Sequence, residues 1–185
     1  MKIKSAGFTA CALIIAGNAG IVSAVGSSPS DAAVPGTAVA GIIECGEGYT
    51  SHELYDVKLT LLELVRGDTA WRRIAAAAPA PGTGQEYILA RLRFEYLARG
   101  KPGDCEHTIT PSQFTALTAD GSPSTTPTLA IPEPGLTGVL HSEQVREGWI
   151  AVQVARNAVK PLLTFSVDEA GAVQHGGKLW FKLFQ

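Results

Sequence analysis

The sequence is poor in charge and has no block of one sign. Only 17% of its 185 residues are charged, and 15 basic against 17 acidic side chains give a formal net charge of −2. Binding to a phosphate backbone needs clustered lysine and arginine. We therefore expect no nucleic-acid partner.

The signature motifs of common enzyme classes are also missing. No serine has glycine two residues away on both sides, which excludes the usual nucleophile elbow. No phosphate-binding P-loop or dinucleotide fingerprint occurs, and residues 167–171 supply too few oxygen ligands for a calcium loop. No zinc-binding spacing includes the dispersed histidines, which are His52, His107, His141 and His175. We expect no cofactor, no metal site and no catalytic residue.

One enzymatic alternative stays open, a small extracellular hydrolase that uses two loop carboxylates or a thiol. Cys45 with a distant histidine would supply the thiol version. The acidic residues in or near expected loops are Glu44, Glu47, Asp104, Glu106, Glu133 and Glu147.

The first residues have the pattern of a secretory signal peptide. Lys2 and Lys4 precede an uncharged stretch, and Val22-Ser23-Ala24 has the small residues that signal peptidase requires. The sequence predicts a leader over residues 1–24. Because glycines interrupt the apolar run, we expect cleavage and no stable membrane span afterwards.

Two cysteines follow the expected leader, Cys45 and Cys105. An even count in an exported chain indicates a disulfide, because that compartment oxidises accessible thiols. The alternative is two reduced cysteines that lie too far apart to meet.

Composition divides the rest of the chain into two parts. Residues 25–41 are rich in small residues, serine, proline and glycine, which is typical of a flexible linker. Residues 42–185 carry the periodic apolar patterns of a single domain. Four prolines between residues 122 and 138 predict surface loops or edge structure there.

Alternation with a period of two predicts strands. Polar and apolar residues alternate from Tyr55 and most clearly over Glu86–Ala98, where one face is apolar and the other carries arginine and glutamate. Leu61-Leu62 breaks the phase, so that strand contains a bulge or is buried on both faces. Further strands are predicted around 113–118, 149–154, 161–167 and 178–184.

One short helix is predicted over about residues 69–78. Asp68 is a suitable N-cap, apolar residues recur at spacings of three and four, and Pro79 ends the segment. Many short strands with one helix predict an all-β fold, an immunoglobulin-like antiparallel β-sandwich with one short inserted helix.

Three tryptophans could form an aromatic contact surface for a ligand, since their rings offer a large area at low entropic cost. Trp71, Trp149 and Trp180 each lie in an apolar periodic segment, which favours core packing instead. Both interpretations place them in the sandwich.

Five segments of the chain together match the pattern of a known family. They are Val57-Lys58-Leu59-Thr60-Leu61, Ala70-Trp71-Arg72-Arg73-Ile74, Gly84-Gln85-Glu86-Tyr87, Glu147-Gly148-Trp149 and Lys160-Pro161-Leu162-Leu163-Thr164-Phe165. Through them residues 52–184 resemble the telokin-like, immunoglobulin-fold family of bacterial extracellular (immunoprotective extracellular) proteins of unknown function. Ala77-Ala78-Pro79 departs from the family's pattern. The resemblance implies an exported sandwich and transfers no functional site.

Together these patterns predict a secreted or extracellular, non-catalytic binding module. We expect its partner to be a protein or a cell-envelope component that contacts the loops at one end of the sandwich or an exposed sheet face. The sequence does not say whether the chain is released or retained at the cell surface.

Overall fold

The computed structural model describes residues 25–45, 53–101, 103, 105–118, 123, 132–166 and 177–184. These residues form nine strands and one α-helix. In chain order they are β1 (Ala38–Cys45), β2 (Glu53–Arg66), α1 (Asp68–Ile74), β3 (Gln85–Ala98), β4 (His107–Ile109), β5 (Phe114–Leu117), β6 (Gly138–Leu140), β7 (Gln144–Ala155), β8 (Leu162–Phe165) and β9 (Leu179–Lys182).

The strands form three antiparallel sheets. The largest has the order β1-β2-β3-β7, a second has the order β5-β8-β9, and β4 pairs with β6. The predicted fold class, an all-β sandwich with one short helix, is confirmed.

One apolar core lies between the large sheet and the β5-β8-β9 sheet. Alternate residues of β2 and β3 point into it, among them Leu59 and Phe94, and they meet Leu163 and Phe181 from the other layer. All four side chains are fully buried. The two-residue period therefore has the predicted cause, which is burial of one face of each strand.

The broken phase at Leu61-Leu62 is a bulge. The register of β2 against β3 shifts between Leu61 and Glu63, so Leu62 is the extra residue and remains 39% exposed. Beyond it Leu64 packs on the central core and Val65 packs on the cluster under α1. The bulge thus lets the end of β2 contribute to both faces.

The helix is shorter than predicted. It begins at Asp68 and ends at Ile74, followed by turns, and Gly67 rather than Asp68 is the N-cap, with no side-chain capping bond. Gly67 has φ of +69°, a conformation that favours glycine. This backbone turn, made directly after β2, sets the start of the helix one residue earlier.

Segment 25–41 differs from the predicted flexible linker. Residues 38–41 belong to β1, and Ala32 and Ala33 are buried. Backbone bonds of 2.9 Å and 2.8 Å link Ala33 to Trp180 and to Lys182 of β9. Small side chains let the segment lie close to the sheet. The composition that is typical of a linker therefore serves packing in this protein.

The proline-rich stretch also departs from its prediction in part. Leu136 is fully buried, and Leu136 and Pro134 exchange backbone hydrogen bonds of 2.9 Å with Trp149 of β7. Pro134 can take part because it offers only its carbonyl. Residues 124–131 lie outside the described residues, as do the predicted leader 1–24, Glu47 and Asp104.

Candidate binding surface

The outer face of the large sheet is covered at one end and open at the other. Helix α1 packs Ala70 and Ile74 onto Tyr87, Leu89 and Trp149, which closes the covered end. The open end carries the outward side chains of all four strands. We take this open end, here called the outer face, as the candidate binding surface.

Charged side chains on the outer face pair across and along the strands. Lys58 contacts Glu95 at 3.5 Å, Arg93 contacts the same carboxylate at 3.3 Å, and Arg91 binds Glu147 at 2.7 Å. These groups are 29–50% exposed, so each pair contributes little to stability, about 1 kcal/mol or less. Together these pairs give the outer face neighbouring positive and negative charges.

An apolar stripe crosses the same face, with one residue from each strand. The strand register places Ile42, Leu54, Leu97 and Val145 at diagonal positions on neighbouring strands. Leu54 is 36% exposed, and Leu97 and Val145 are each 50% exposed. Side chains at diagonal positions lie within reach of one another. The four residues therefore form one continuous surface, here called the apolar stripe.

A groove of about 320 Å³ adjoins the stripe at the β1 edge of the sheet. It is lined by Ala40, Gly41 and Ile42 of β1 and by Asp56 and Arg99, which are joined by an ion pair of 2.7 Å. The remaining walls are residues 25–27 and 177–179. Ile42 belongs to both features, so the groove and the stripe are continuous.

The predicted disulfide is present and closes the end of the sandwich. Cys45 at the end of β1 is joined to Cys105, which precedes β4, across 60 residues, with Cα atoms 6.3 Å apart. The Tyr96 hydroxyl lies 3.6 Å from the Cys105 Sγ, and Tyr55 stacks on Tyr96 at 4.7 Å. Burial is the main cause that raises the pKa of Tyr96, so its phenol stays protonated at neutral pH.

His107 is the buried histidine of this end. Its ring stacks on Phe94 at 5.5 Å, only 7% of the residue is exposed, and its Nε2 atom is buried without a hydrogen-bond partner. Burial lowers the pKa of His107 to about 4, because the charged form loses hydration and gains no counter-ion. His107 is therefore neutral at physiological pH.

The three tryptophans do not meet in one platform. Trp149 is buried under α1, and Trp71 stacks on Tyr87 at 5.9 Å beside it. The guanidinium of Arg73 lies 5.4 Å from the centre of the Trp149 ring. Trp180 instead packs with Ala32, Leu117, Leu162 and Phe184 on the outer side of the other sheet. The two groups are thus on opposite sides of the sandwich.

Two of the loop acids and the thiol of the hydrolase alternative have partners of their own. Glu147 is paired with Arg91, and Glu106 lies 3.4 Å from His141. Cys45 is in the disulfide. Within the described ranges, no three histidine, cysteine or acidic side chains come together as a metal site would require. No helix in that same part of the chain is long and apolar enough to cross a bilayer.

The apolar stripe was not among the predicted site residues. A signal for it exists in the sequence, since Leu97 occupies the outward phase of β3 directly after three charged outward residues, Arg91, Arg93 and Glu95. The matching positions on β1 and β7 become apparent only from the register. The groove likewise depends on the packing of residues 25–27, which composition assigns to a linker.

Comparison with known proteins adds little to this description. No family model matches the chain, and no curated protein matches it significantly. Among solved structures, the provisionally named lipoprotein ycdA of Bacillus subtilis is similar over 68% of this chain, with 11% sequence identity and a TM-score of 0.47. This chain covers 35% of that protein's length.

Proposed function

We propose that the chain is an exported, non-catalytic β-sandwich module that binds a protein partner through the outer face. The observation that carries the proposal is the apolar stripe, which crosses four strands and is bordered by paired charges. A contiguous exposed apolar surface with a polar rim is characteristic of protein interaction sites.

The disulfide supports export. Structural disulfides persist in oxidising compartments and are rare in the cytosol. The expected leader over residues 1–24 is consistent with this localisation. Similarity to the telokin-like extracellular family, suggested by the sequence segments given above, is part of the same proposal.

In the apolar stripe, each half-exposed apolar side chain lies beside a charged residue of the neighbouring strand. Leu97 lies opposite Asp56 in the register and Val145 lies opposite Glu95. Covering two half-exposed apolar side chains would remove apolar area from water, and the adjacent ion pairs would orient the partner without much net affinity. Affinity and specificity would thus come from different residues of one face.

A double substitution tests the proposal. Leu97→Lys with Val145→Lys removes the apolar contact, and each lysine faces an acid across the strands, so the fold should be kept. We expect binding to weaken by about tenfold or more, because roughly 1 kcal/mol or more of apolar burial is lost at each position.

The measurement is saturable binding of the exported chain to proteins of an envelope extract, followed by identification and titration of the retained protein. Val159→Lys is the matched control, since Val159 is 80% exposed in the turn after β7 and lies outside the stripe. Equal binding by the double variant and the control would contradict the proposed surface. Turnover of an ester, glycoside or peptide substrate by the purified chain would contradict the non-catalytic assignment.

A further inference from the structure

The edges of the two main sheets differ in whether another described segment of the chain covers them. The β9 edge is covered by residues 26–33, through the bonds of Gly26 and Ala33 to Trp180. The β7 edge is bonded at Trp149 by residues 134–136, and the β5 edge has a bridge from Leu117 to Pro123. Covering an edge prevents it from pairing with another chain.

The β1 edge has no such cover within the described part of the chain. The amide of Arg99 donates to the carbonyl of Leu54, which fixes the bonding phase of β2 with β3. Alternation then directs Tyr55, Val57 and Leu59 of β2 towards β1. In the register, the backbone groups of Ala38, Ala40 and Ile42 consequently point away from the sheet. No described residue bonds to them.

The groove lies along these outward groups. Ala40 and Ile42 line it, and their side chains face the same side as Asp56 and Arg99. An extended segment placed beside β1 could therefore make backbone bonds to the strand while its side chains contact the Ile42 end of the apolar stripe. This is the geometry of strand addition to a sheet edge.

The charge of the groove indicates the chemistry of the segment. Asp56 and Arg99 compensate each other at 2.7 Å. Lys178 is exposed and forms no ion pair with any residue that the structure describes. Among the described residues, the groove thus carries one positive charge without a partner, which favours a carboxylate on the added strand.

We propose that the β1 edge binds an extended peptide segment of a partner protein, which bears an acidic side chain near Lys178 and pairs with Ala40 and Ile42. A second copy of this chain fits less well, because the carboxylate that its own β1 would bring is Glu44, which is buried. This inference rests on the proposed function and specifies what the outer face recognises.

The probe is a blocked synthetic peptide of about eight residues that alternates valine and threonine and carries one glutamate. One twin carries lysine instead of glutamate, and another has proline at alternate positions. We expect the glutamate peptide to bind about tenfold more tightly than the lysine twin, and the proline twin not to bind below about 1 mM. In the wild-type chain, the amides of Ala40 and Ile42 should become protected from hydrogen exchange when the peptide binds.

Two variants, each with a matched control, locate the site. Ala40→Pro removes an outward N–H and no bond to β2, and we expect it to weaken binding at least about tenfold. Ala38→Pro is its matched control, because Ala38 has the same outward phase but does not line the groove. Lys178→Glu should abolish the preference for the glutamate peptide, whereas Lys160→Glu, an exposed site outside the groove, should preserve it.

Several results would overturn strand addition. They are failure of the glutamate peptide to bind at about 1 mM, equal binding of the proline twin, protection of amides away from β1, or a dimer that Ala40→Pro dissociates. The hydrogen-exchange measurement uses the wild-type chain, so it tests strand addition even if a variant misfolds. Envelope binding that needs Leu97 and Val145 but tolerates Ala40→Pro would preserve the proposed function and overturn this inference alone.

Discussion

At the scale of single residues, buried polar groups determine how the protein responds to its surroundings. The ring of His107 contacts the rings of Phe94 and Tyr96, its Nε2 atom has no hydrogen-bond partner, and burial lowers its pKa to about 4. In the unfolded chain its pKa should be near 6.5. The unfolded state therefore takes up a proton first as the pH falls.

This difference predicts acid sensitivity. The free energy of unfolding should decrease as the pH falls from about 6.5 to about 4, by roughly 3 kcal/mol from this residue, and the contribution should become constant below that. His107→Phe keeps a ring against Phe94 and should remove this component. The measurement is urea unfolding across the pH range for wild type and variant.

His141→Gln provides the control, since His141 is exposed beside Glu106. Its pH profile should follow that of the wild type. Identical acid dependence of wild type and His107→Phe would mean that His107 is not the group responsible.

Sequence patterns predict only some of the roles that single residues have in this structure. The disulfide and the inward faces of β2 and β3 follow from cysteine count and alternation. The stacking of His107 on Phe94 joins residues of different strands, and no local pattern encodes it. Leu97 shows the same limit, because an apolar residue in an outward phase becomes part of a stripe only through its neighbours on other strands.

At the scale of elements, the β7 edge depends on a close approach of two backbones. A Cβ atom at Gly148 would lie 2.5 Å from the Leu136 nitrogen and 2.7 Å from the Gly135 oxygen. Backbone atoms cannot move aside as a flexible side chain can. Glycine at this position is therefore required for residues 134–136 to bond to Trp149.

Gly148→Ala tests this requirement. We expect a loss of about 1–3 kcal/mol in the free energy of unfolding, and faster hydrogen exchange at the Leu136 and Trp149 amides as their bonds open. Gly100→Ala is the control, because a methyl group at Gly100 would meet nothing within 4 Å among the described residues. Unchanged exchange at Leu136 in Gly148→Ala would show that the covering segment does not need the close approach.

Element boundaries show that prediction from sequence fails where a strand depends on contacts with residues distant in the chain. The strands with clear alternation, β2 and β3, are predicted nearly to their ends. The short strands β4 and β6 are missed because three residues give no period. The first half of β1 is missed because Ala38, Ala40 and Gly41 have almost no hydrophobic contrast, and only the partner strand β2 makes this segment a strand.

At the scale of the whole molecule, the disulfide joins β1, the edge strand that lines the groove, to the segment before β4. Removing it with Cys45→Ser and Cys105→Ser should lower the free energy of unfolding by about 4 kcal/mol, because the bond closes a loop of 60 residues in the unfolded chain. Denaturant unfolding of the double variant beside the oxidised wild type measures this loss.

Reduced wild-type protein is the matched reference for that experiment. It should behave like the double variant, and both should retain a strand-rich circular dichroism spectrum under native conditions. A double variant as stable as the oxidised protein would mean that the bond adds nothing to the cohesion of this end.

The pairing of Ala33 with Trp180 and Lys182 connects the beginning of the described chain to its end. A ribosome or a translocation channel delivers these two segments far apart in time, so the sheet that contains β9 stays incomplete until that strand arrives. Loop closure over such a long stretch of chain is entropically costly and places such topologies among the slower folders. The sandwich consequently reaches its final architecture only after β9 has been delivered and has paired with Ala33.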